Sequence, residues 1–139
     1  MKLPYKINLV IYGKYNMQEW MEILNRCQFG IWLGRHESQG FAVEESLARN
    51  VPLLVWNVRM RYQEVGYEKQ YANIKTPVTT IPYWDERCGE FFYEANEFLN
   101  SMETFLSKLY TYKPRDFVID KLSKETISEN LKNIVNNNI

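Results

Sequence analysis

Apolar and polar positions alternate along the chain between two kinds of run. Short continuous apolar stretches, Ile7-Asn8-Leu9-Val10-Ile11-Tyr12, Phe29-Gly30-Ile31-Trp32-Leu33 and Val51-Pro52-Leu53-Leu54-Val55-Trp56, read as buried strands. Helical spacing lies between them. Trp20, Ile23, Leu24 and Cys27 recur at i, i+3, i+4 and i+7 behind a suitable N-cap, Asn16. The pattern therefore predicts a helix from Met17 to about Cys27. A second helix is expected from Phe41 to Arg49, directly after Gly40. Strand, helix, strand, helix and strand in succession is the signature of an α/β fold.

A fourth short strand is expected at Val78-Thr79-Thr80-Ile81, after a polar and irregular stretch over residues 57–75. The rest of the chain turns helical. From about Glu94 to Tyr110, Phe98, Leu99, Met102, Phe105, Leu106 and Leu109 keep helical spacing. Lys113-Pro114-Arg115 interrupts that helix, and Ser123 caps a last one carrying Ile127, Leu131, Ile134 and Val135. The helical segment thus covers about 94–136, with Asn136-Asn137-Asn138 as a frayed end. The expected architecture is one Rossmann-like domain over residues 1–139. It has a mainly parallel sheet of about four strands and helices on both faces.

Composition narrows the function classes. Lys plus Arg and Asp plus Glu are equal at 17 each, which gives no basic field for nucleic acid. Aromatic residues reach 15%, with ten Tyr and four Trp, and suit a core of polar-tipped rings better than a sugar-stacking surface. Cys27 and Cys88 form no CxxC and have no histidine-rich partner set, so no metal site and no cofactor are expected. They read as reduced thiols of a cytoplasmic protein. The first residues lack the apolar stretch of a signal peptide, and no run reaches transmembrane length.

The chemistry concentrates between residues 34 and 54. In an open α/β sheet, ligands bind beyond the carboxyl ends of the strands. The loop from Gly34 to Gly40 leaves such an end, and the free N–H groups of the following helix favour an anion. Gly40 allows close approach, and the N–H groups of Gly40, Phe41 and Ala42 suit a phosphate. Arg35 is a minor candidate for neutralising its charge. His36, the only histidine, reads as an ordinary polar contact rather than a general base. The charged turn Asp85-Glu86-Arg87 beside Trp84 reads as a solvated loop.

Glu37, Gly40, Glu45, Ala48 and Pro52 together match E-x-x-G-x-x-x-x-E-A-x-A-x-G-x-P. This stretch resembles the donor-binding motif of GT-B glycosyltransferases of the retaining, glycogen-synthase-like kind. Ser46 stands where that family usually has Ala, Asn50 where it has Gly, and Glu44 where it has an apolar residue. Asn50 is a mild change, because Asn tolerates the left-handed conformation of a helix C-terminus. The resemblance covers residues 29–56 well and the rest loosely. It implies the later part of the C-terminal, donor-binding half of a GT-B architecture, acting as a glycosyltransferase or glycosyltransferase domain. The ligand it implies is a nucleotide-sugar donor such as a UDP- or GDP-sugar, with an unspecified acceptor.

The resemblance also implies roles for single residues. Glu45 accepts the ribose hydroxyls, a task two carboxylate oxygens can perform on a vicinal diol. Its alternative is a surface pair with Arg49 at i, i+4. Glu37 is the catalytic candidate, contacting the donor sugar near the reacting carbon, where a carboxylate stabilises an oxocarbenium-like transition state. Its alternative is a solvated or capping acid. Arg35, Ser38, Gln39, Gly40, Phe41 and Ala42 complete the implied donor-binding set. Arg59, Gln63 and Glu64 stand near the family's Gly-Gly-x-x-Glu loop, but the glycines are absent and no role is transferred.

The acceptor domain and the basic pair that holds the diphosphate lie in parts of the family outside the resemblance. Two alternatives therefore stand beside the enzyme: an inactive nucleotide-sugar-binding or interaction module, and the donor half of an enzyme assembled from separate chains. In the family's C-domain sheet, with order 3-2-1-4-5-6, residues 7–12 correspond to the third strand and residues 29–33 to the fourth. Direct pairing of these two segments is expected. Self-association or a partner chain along that edge is the second expectation.

Overall fold

The computed structural model describes residues 5–64 and 75–137. Among them the elements run α1 (Met17–Leu24), β1 (Gly30–Trp32), α2 (Phe41–Ala48), β2 (Leu53–Trp56), β3 (Gly89–Phe92), α3 (Phe98–Ser107), α4 (Pro114–Leu122) and α5 (Lys124–Asn136). The fold is α/β, built on a small open parallel sheet in the order β1-β2-β3. Leu53, Leu54 and Val55 of the central strand pair with Gly30, Ile31 and Trp32 on one side. On the other side they pair with Gly89, Glu90 and Phe91.

Alternation along β2 sorts the core into two layers. Leu53 and Val55 face a cluster built from Trp20 and Leu24 of α1, Val43 and Leu47 of α2, and Phe117 of α4. Leu54 faces the opposite way, onto Phe92 and the α3 residues Met102 and Phe105, with Trp56 packed alongside. Helices therefore cover both faces, which a continuous apolar strand in a parallel sheet requires. α1 opens with a capping box: Asn16 accepts the Glu19 N–H at 2.9 Å, and Glu19 accepts the Asn16 N–H at 3.2 Å. Past the end of α2, Asn50 takes φ 62°, the left-handed state its amide side chain tolerates. No helix among the described residues is long and apolar enough to cross a membrane.

The sheet differs from the expected one in two strands lost and one gained. Residues 7–12 form no strand and do not pair with β1. The tight turn after them returns the chain onto α1, and the two line a shallow groove with Val10, Tyr15 and Ile23 among its walls. Only Val10 of this run packs against the core, while Ile7, Leu9, Ile11 and Tyr12 stay exposed. An apolar strand needs cover on both faces to join a parallel sheet, and α1 supplies one side only. The outer edge of β1 is therefore open among the described residues.

Residues 78–81 also form no strand. Their polar groups are taken by the end of β2: the Asn57 side-chain oxygen accepts the Thr80 N–H and the Thr79 hydroxyl, both at 2.9 Å. The third strand is β3, in a stretch assigned no element from the sequence. The expected 94–110 helix starts later than read, with a 3-10 turn at Ala95–Glu97 before α3. It ends at Ser107, ahead of the break before Pro114, which occupies the first turn of α4. Asn138 lies outside the described residues.

Gly89 fixes how closely β3 approaches β2. Its φ is 136°, and a Cβ there would sit 2.0 Å from the Leu53 carbonyl oxygen. Gly89→Ala is expected to cost about 2–4 kcal/mol, strain plus a clash that only backbone movement relieves. Urea unfolding checks this, and wild-type stability in the variant would show that β3 can shift freely.

Candidate functional site

β1 ends at Trp32 and β2 at Trp56, and the chain segments leaving these two ends meet. The first is the loop 33–40. A side chain at Gly34 would meet the Trp32 indole nitrogen at 2.3 Å, so glycine lets the loop pass the ring. The second carries a 3-10 turn at Arg61–Gln63, in which the Gln63 side-chain oxygen accepts the N–H groups of Arg59 and Met60 at 2.8 and 2.9 Å. That turn delivers Glu64 to the loop.

Glu64 is the centre of the contacts. Its carboxylate has 0% side-chain exposure and is held by two consecutive loop residues. Oε1 accepts the His36 backbone N–H at 2.5 Å and faces the His36 ring Nδ1 at 2.6 Å. Oε2 accepts the Arg35 Nε–H at 3.4 Å. A buried carboxylate is costly unless its oxygens are satisfied, and three donors satisfy these. Burial alone would push the Glu64 carboxyl up. The His36 and Arg35 hydrogen bonds overcome that and hold it below the ordinary glutamate value.

Glu37 follows directly. Its N–H donates to the Thr79 carbonyl at 3.0 Å, which ties the loop to residues 76–81. Its side chain is half-buried beside Gly40, and an added Cβ on Gly40 would lie 3.6 Å from the Glu37 Cβ. That contact is ordinary, so Gly40 is required for its backbone: it is the N-cap of α2 with φ 81° and ψ 43°. Burial pushes the Glu37 carboxyl above the ordinary value. The His36 ring draws it down in part, and the Glu64 charge raises it further.

The remaining loop and helix candidates are spread around α2. Ser38 is exposed, as is Phe41 at the first helical position, 72% accessible. The Gln39 amide donates to Glu44 at 2.7 Å, which gives the unusual Glu44 a partner in the first turn. The Ala42 carbonyl accepts the Ser46 hydroxyl at 2.8 Å, so the serine that stands where alanine was expected is buried and bonded.

Glu45 is placed away from the Glu64 cluster, against α1. Its Oε2 accepts the indole N–H of the buried Trp20 at 2.8 Å. Tyr15 lies close by, with its hydroxyl raised by burial and by the Glu45 charge. No ion pair joins Glu45 to Arg49 among the described residues; the Arg49 guanidinium donates instead to the Asn25 side chain.

The structure thus gathers Arg35, His36 and Glu37 of one loop with Glu64 of another, and holds Glu45 separately. Glu64 is the residue that sequence reasoning passed over. The faint signal for it was a lone acid in a basic, polar stretch just past a strand's carboxyl end. Asn57 was also missed. It is buried, and it pins the second wall of the site through Thr79 and Thr80. No group of three or more His, Cys, Asp or Glu able to hold a metal ion occurs among the described residues. Comparison with protein-family models, curated proteins and solved structures finds no match to this chain.

The two glutamates should respond oppositely to pH. Glu64 has a depressed folded-state value, so its contribution is complete above the ordinary glutamate value and is lost as pH falls through the folded one. Glu37 has a raised value, so its ionised form is a cost that is relieved as pH falls. Glu64→Gln is expected to lower stability at neutral pH by about 1–3 kcal/mol, with the deficit shrinking below about pH 4. Glu37→Gln is expected to leave stability unchanged or raise it. Urea melts of both variants at the two pH values test this, and a Glu64→Gln deficit independent of pH would contradict it.

Proposed function

We propose that this chain is a Rossmann-like, nucleotide-sugar-binding module of the GT-B donor-domain kind, acting as a cytoplasmic glycosyltransferase or as the donor-binding part of one. The observation that carries the reading is Glu37: a carboxylate held partly desolvated beside the N-terminus of α2, at the carboxyl end of a parallel strand. A desolvated acid is costly to the fold, and such costs collect where a ligand's charge or hydroxyls repay them.

The parts suit a sugar nucleotide. The Phe41 and Ala42 N–H groups at the start of α2 suit the β-phosphate, and Ser38, Gln39 and Arg35 border the same loop. Glu37 serves the sugar. Glu45 serves the ribose with Oε1, while its Oε2 is held by Trp20 and fixes the carboxylate's orientation. The acceptor is a hydroxyl compound supplied from outside this set of residues.

One observation favours a second reading, the donor half of an enzyme assembled from separate chains. The outer edge of β1 is open among the described residues, and Ile31 and Leu33 there are 40% and 69% exposed. An open apolar edge is a template for another strand.

A thermal-shift panel of UDP, GDP, ADP and their sugars tests the first reading, because a ligand of the native state raises its stability. At least one member is expected to raise the melting temperature. Glu45→Gln should weaken nucleotide binding by about 1–3 kcal/mol. Trp20→Phe, which removes the indole donor and keeps the carboxylate, should lower the melting temperature more than it lowers affinity. Glu37→Gln should weaken sugar nucleotides more than bare nucleotides. A panel with no shift would refute the reading, and equal affinity in Glu45→Gln and wild type would remove the ribose role.

A further inference from the structure

The His36–Glu64 pair is built more firmly than a loop contact needs. Glu64 is fully buried, yet its ring partner among the described residues is an imidazole with 32% side-chain exposure. One oxygen of Glu64 engages both the backbone N–H and the ring Nδ1 of the same residue, at 2.5 and 2.6 Å. That double contact fixes the backbone and the ring together. An ionised carboxylate only accepts hydrogen bonds, so Nδ1 carries the proton. In the neutral ring Nε2, on the far side, then keeps its lone pair. A histidine with its tautomer fixed by a buried carboxylate is the base-and-orienter half of a proton-transfer site. Glu37, the next residue, carries the only other acid of the loop.

We propose that His36 is the general base of this site, with Nε2 as the proton-accepting atom and Glu64 as its positioning residue. Its use on a nucleotide sugar rests on the function proposed above. Nε2 takes the proton from a hydroxyl, of water or of an alcohol acceptor. The oxygen's electron pair forms a bond to the anomeric carbon on the face that the diphosphate leaves, so the configuration at that carbon is retained. The bond from that carbon to the β-phosphate oxygen breaks, and the diphosphate leaves with that pair. The proton then passes from Nε2 to solvent. Glu37 lies where a carboxylate balances the positive charge that develops on the sugar. Water as the nucleophile gives free sugar, and an alcohol gives a glycoside.

His36 is the only histidine of the chain, so one set of imidazole signals reports on it. A long-range proton–nitrogen NMR spectrum at neutral pH is expected to show the Nδ1–H tautomer. Glu64→Gln should shift it toward Nε2–H, the form usual for an unconstrained imidazole. A wild-type ring that is already Nε2–H overturns the dyad whatever the ligand.

Catalysis is read with UDP-glucose, GDP-mannose and ADP-glucose, each with and without glycerol as an alcohol acceptor. His36→Gln is expected to keep the nucleotide-induced thermal shift and to lose turnover about 10²–10⁴-fold, the usual range for a missing general base. Glu64→Gln should lower turnover with little change in KM. Free sugar alone identifies water as the nucleophile, and a glucosyl or mannosyl glycerol identifies an alcohol. Turnover unchanged in His36→Gln, or wild-type binding with no turnover, overturns the base assignment. Absence of any nucleotide shift in wild type overturns the nucleotide-sugar reading, and the NMR tautomer then decides the dyad by itself.

Discussion

The constraint on which the rest depends is the two-sided burial of β2. Its residues Leu53, Leu54 and Val55 have at most 2% exposure, and they point alternately into two cores. A strand buried this way cannot supply cover for itself. It requires cover on both faces, which α1, α2 and α4 supply on one and α3 on the other, and both neighbouring strands run parallel to it. Parallel strands cannot be joined by tight hairpins, so β1 connects to β2 through α2, and β2 connects to β3 through the long stretch of residues 57–88. The loops that leave β1 and β2 then emerge at the same end. The meeting of loop 33–40 with residues 57–64 follows from that geometry and from nothing local to either segment.

Once the loops meet, electrostatics sets their detail. A carboxylate as buried as Glu64 would be protonated or expelled without donors, so the loop must bring His36 and Arg35 to it. The next residue along, Glu37, is put into partly desolvated surroundings with no comparable set of donors among the described residues. The two acids therefore have opposite stability signs within one cluster. Glu64 holds the site in shape. Glu37 in its ionised form is held there at a cost to the fold.

Much of this was legible in the sequence where the signal is local. Helix α1 and its Asn16 cap, the start of α2 right after Gly40, the left-handed Asn50, and Ser123 as the cap of the last helix all follow from short-range chemistry. What was not legible depends on partners distant in the chain. Residues 7–12 have every local mark of a strand, yet joining the sheet would require apolar cover on both faces. Residues 78–81 look β-like, but the Asn57 side chain takes their hydrogen bonds. β3 has Phe91 and Phe92 as a weak marker; its real determinant is Gly89, whose missing Cβ admits the Leu53 carbonyl. Glu64 is silent in sequence because its partners lie 28 and 29 residues away.

The same separation between local and distant determinants bears on the two halves of the motif around α2. Glu37 and Glu45 have the spacing of one functional unit, eight residues apart. In the folded chain they meet different neighbours, because Glu37 lies in the loop before α2 and Glu45 lies within the helix, where it faces α1. Glu37 faces the loop cluster from the strand side, and Glu45 faces α1 through the Trp20 indole. A ligand that used both would have to span the first turn of α2, with its charged middle over the N–H groups of Phe41 and Ala42. That demand fits an elongated molecule with a hydroxyl-rich group at each end and an anion between them. A compact anion would satisfy the helix start and leave both glutamates unused. On the proposal that both glutamates hold one ligand, the motif's spacing is therefore an argument about that ligand's length.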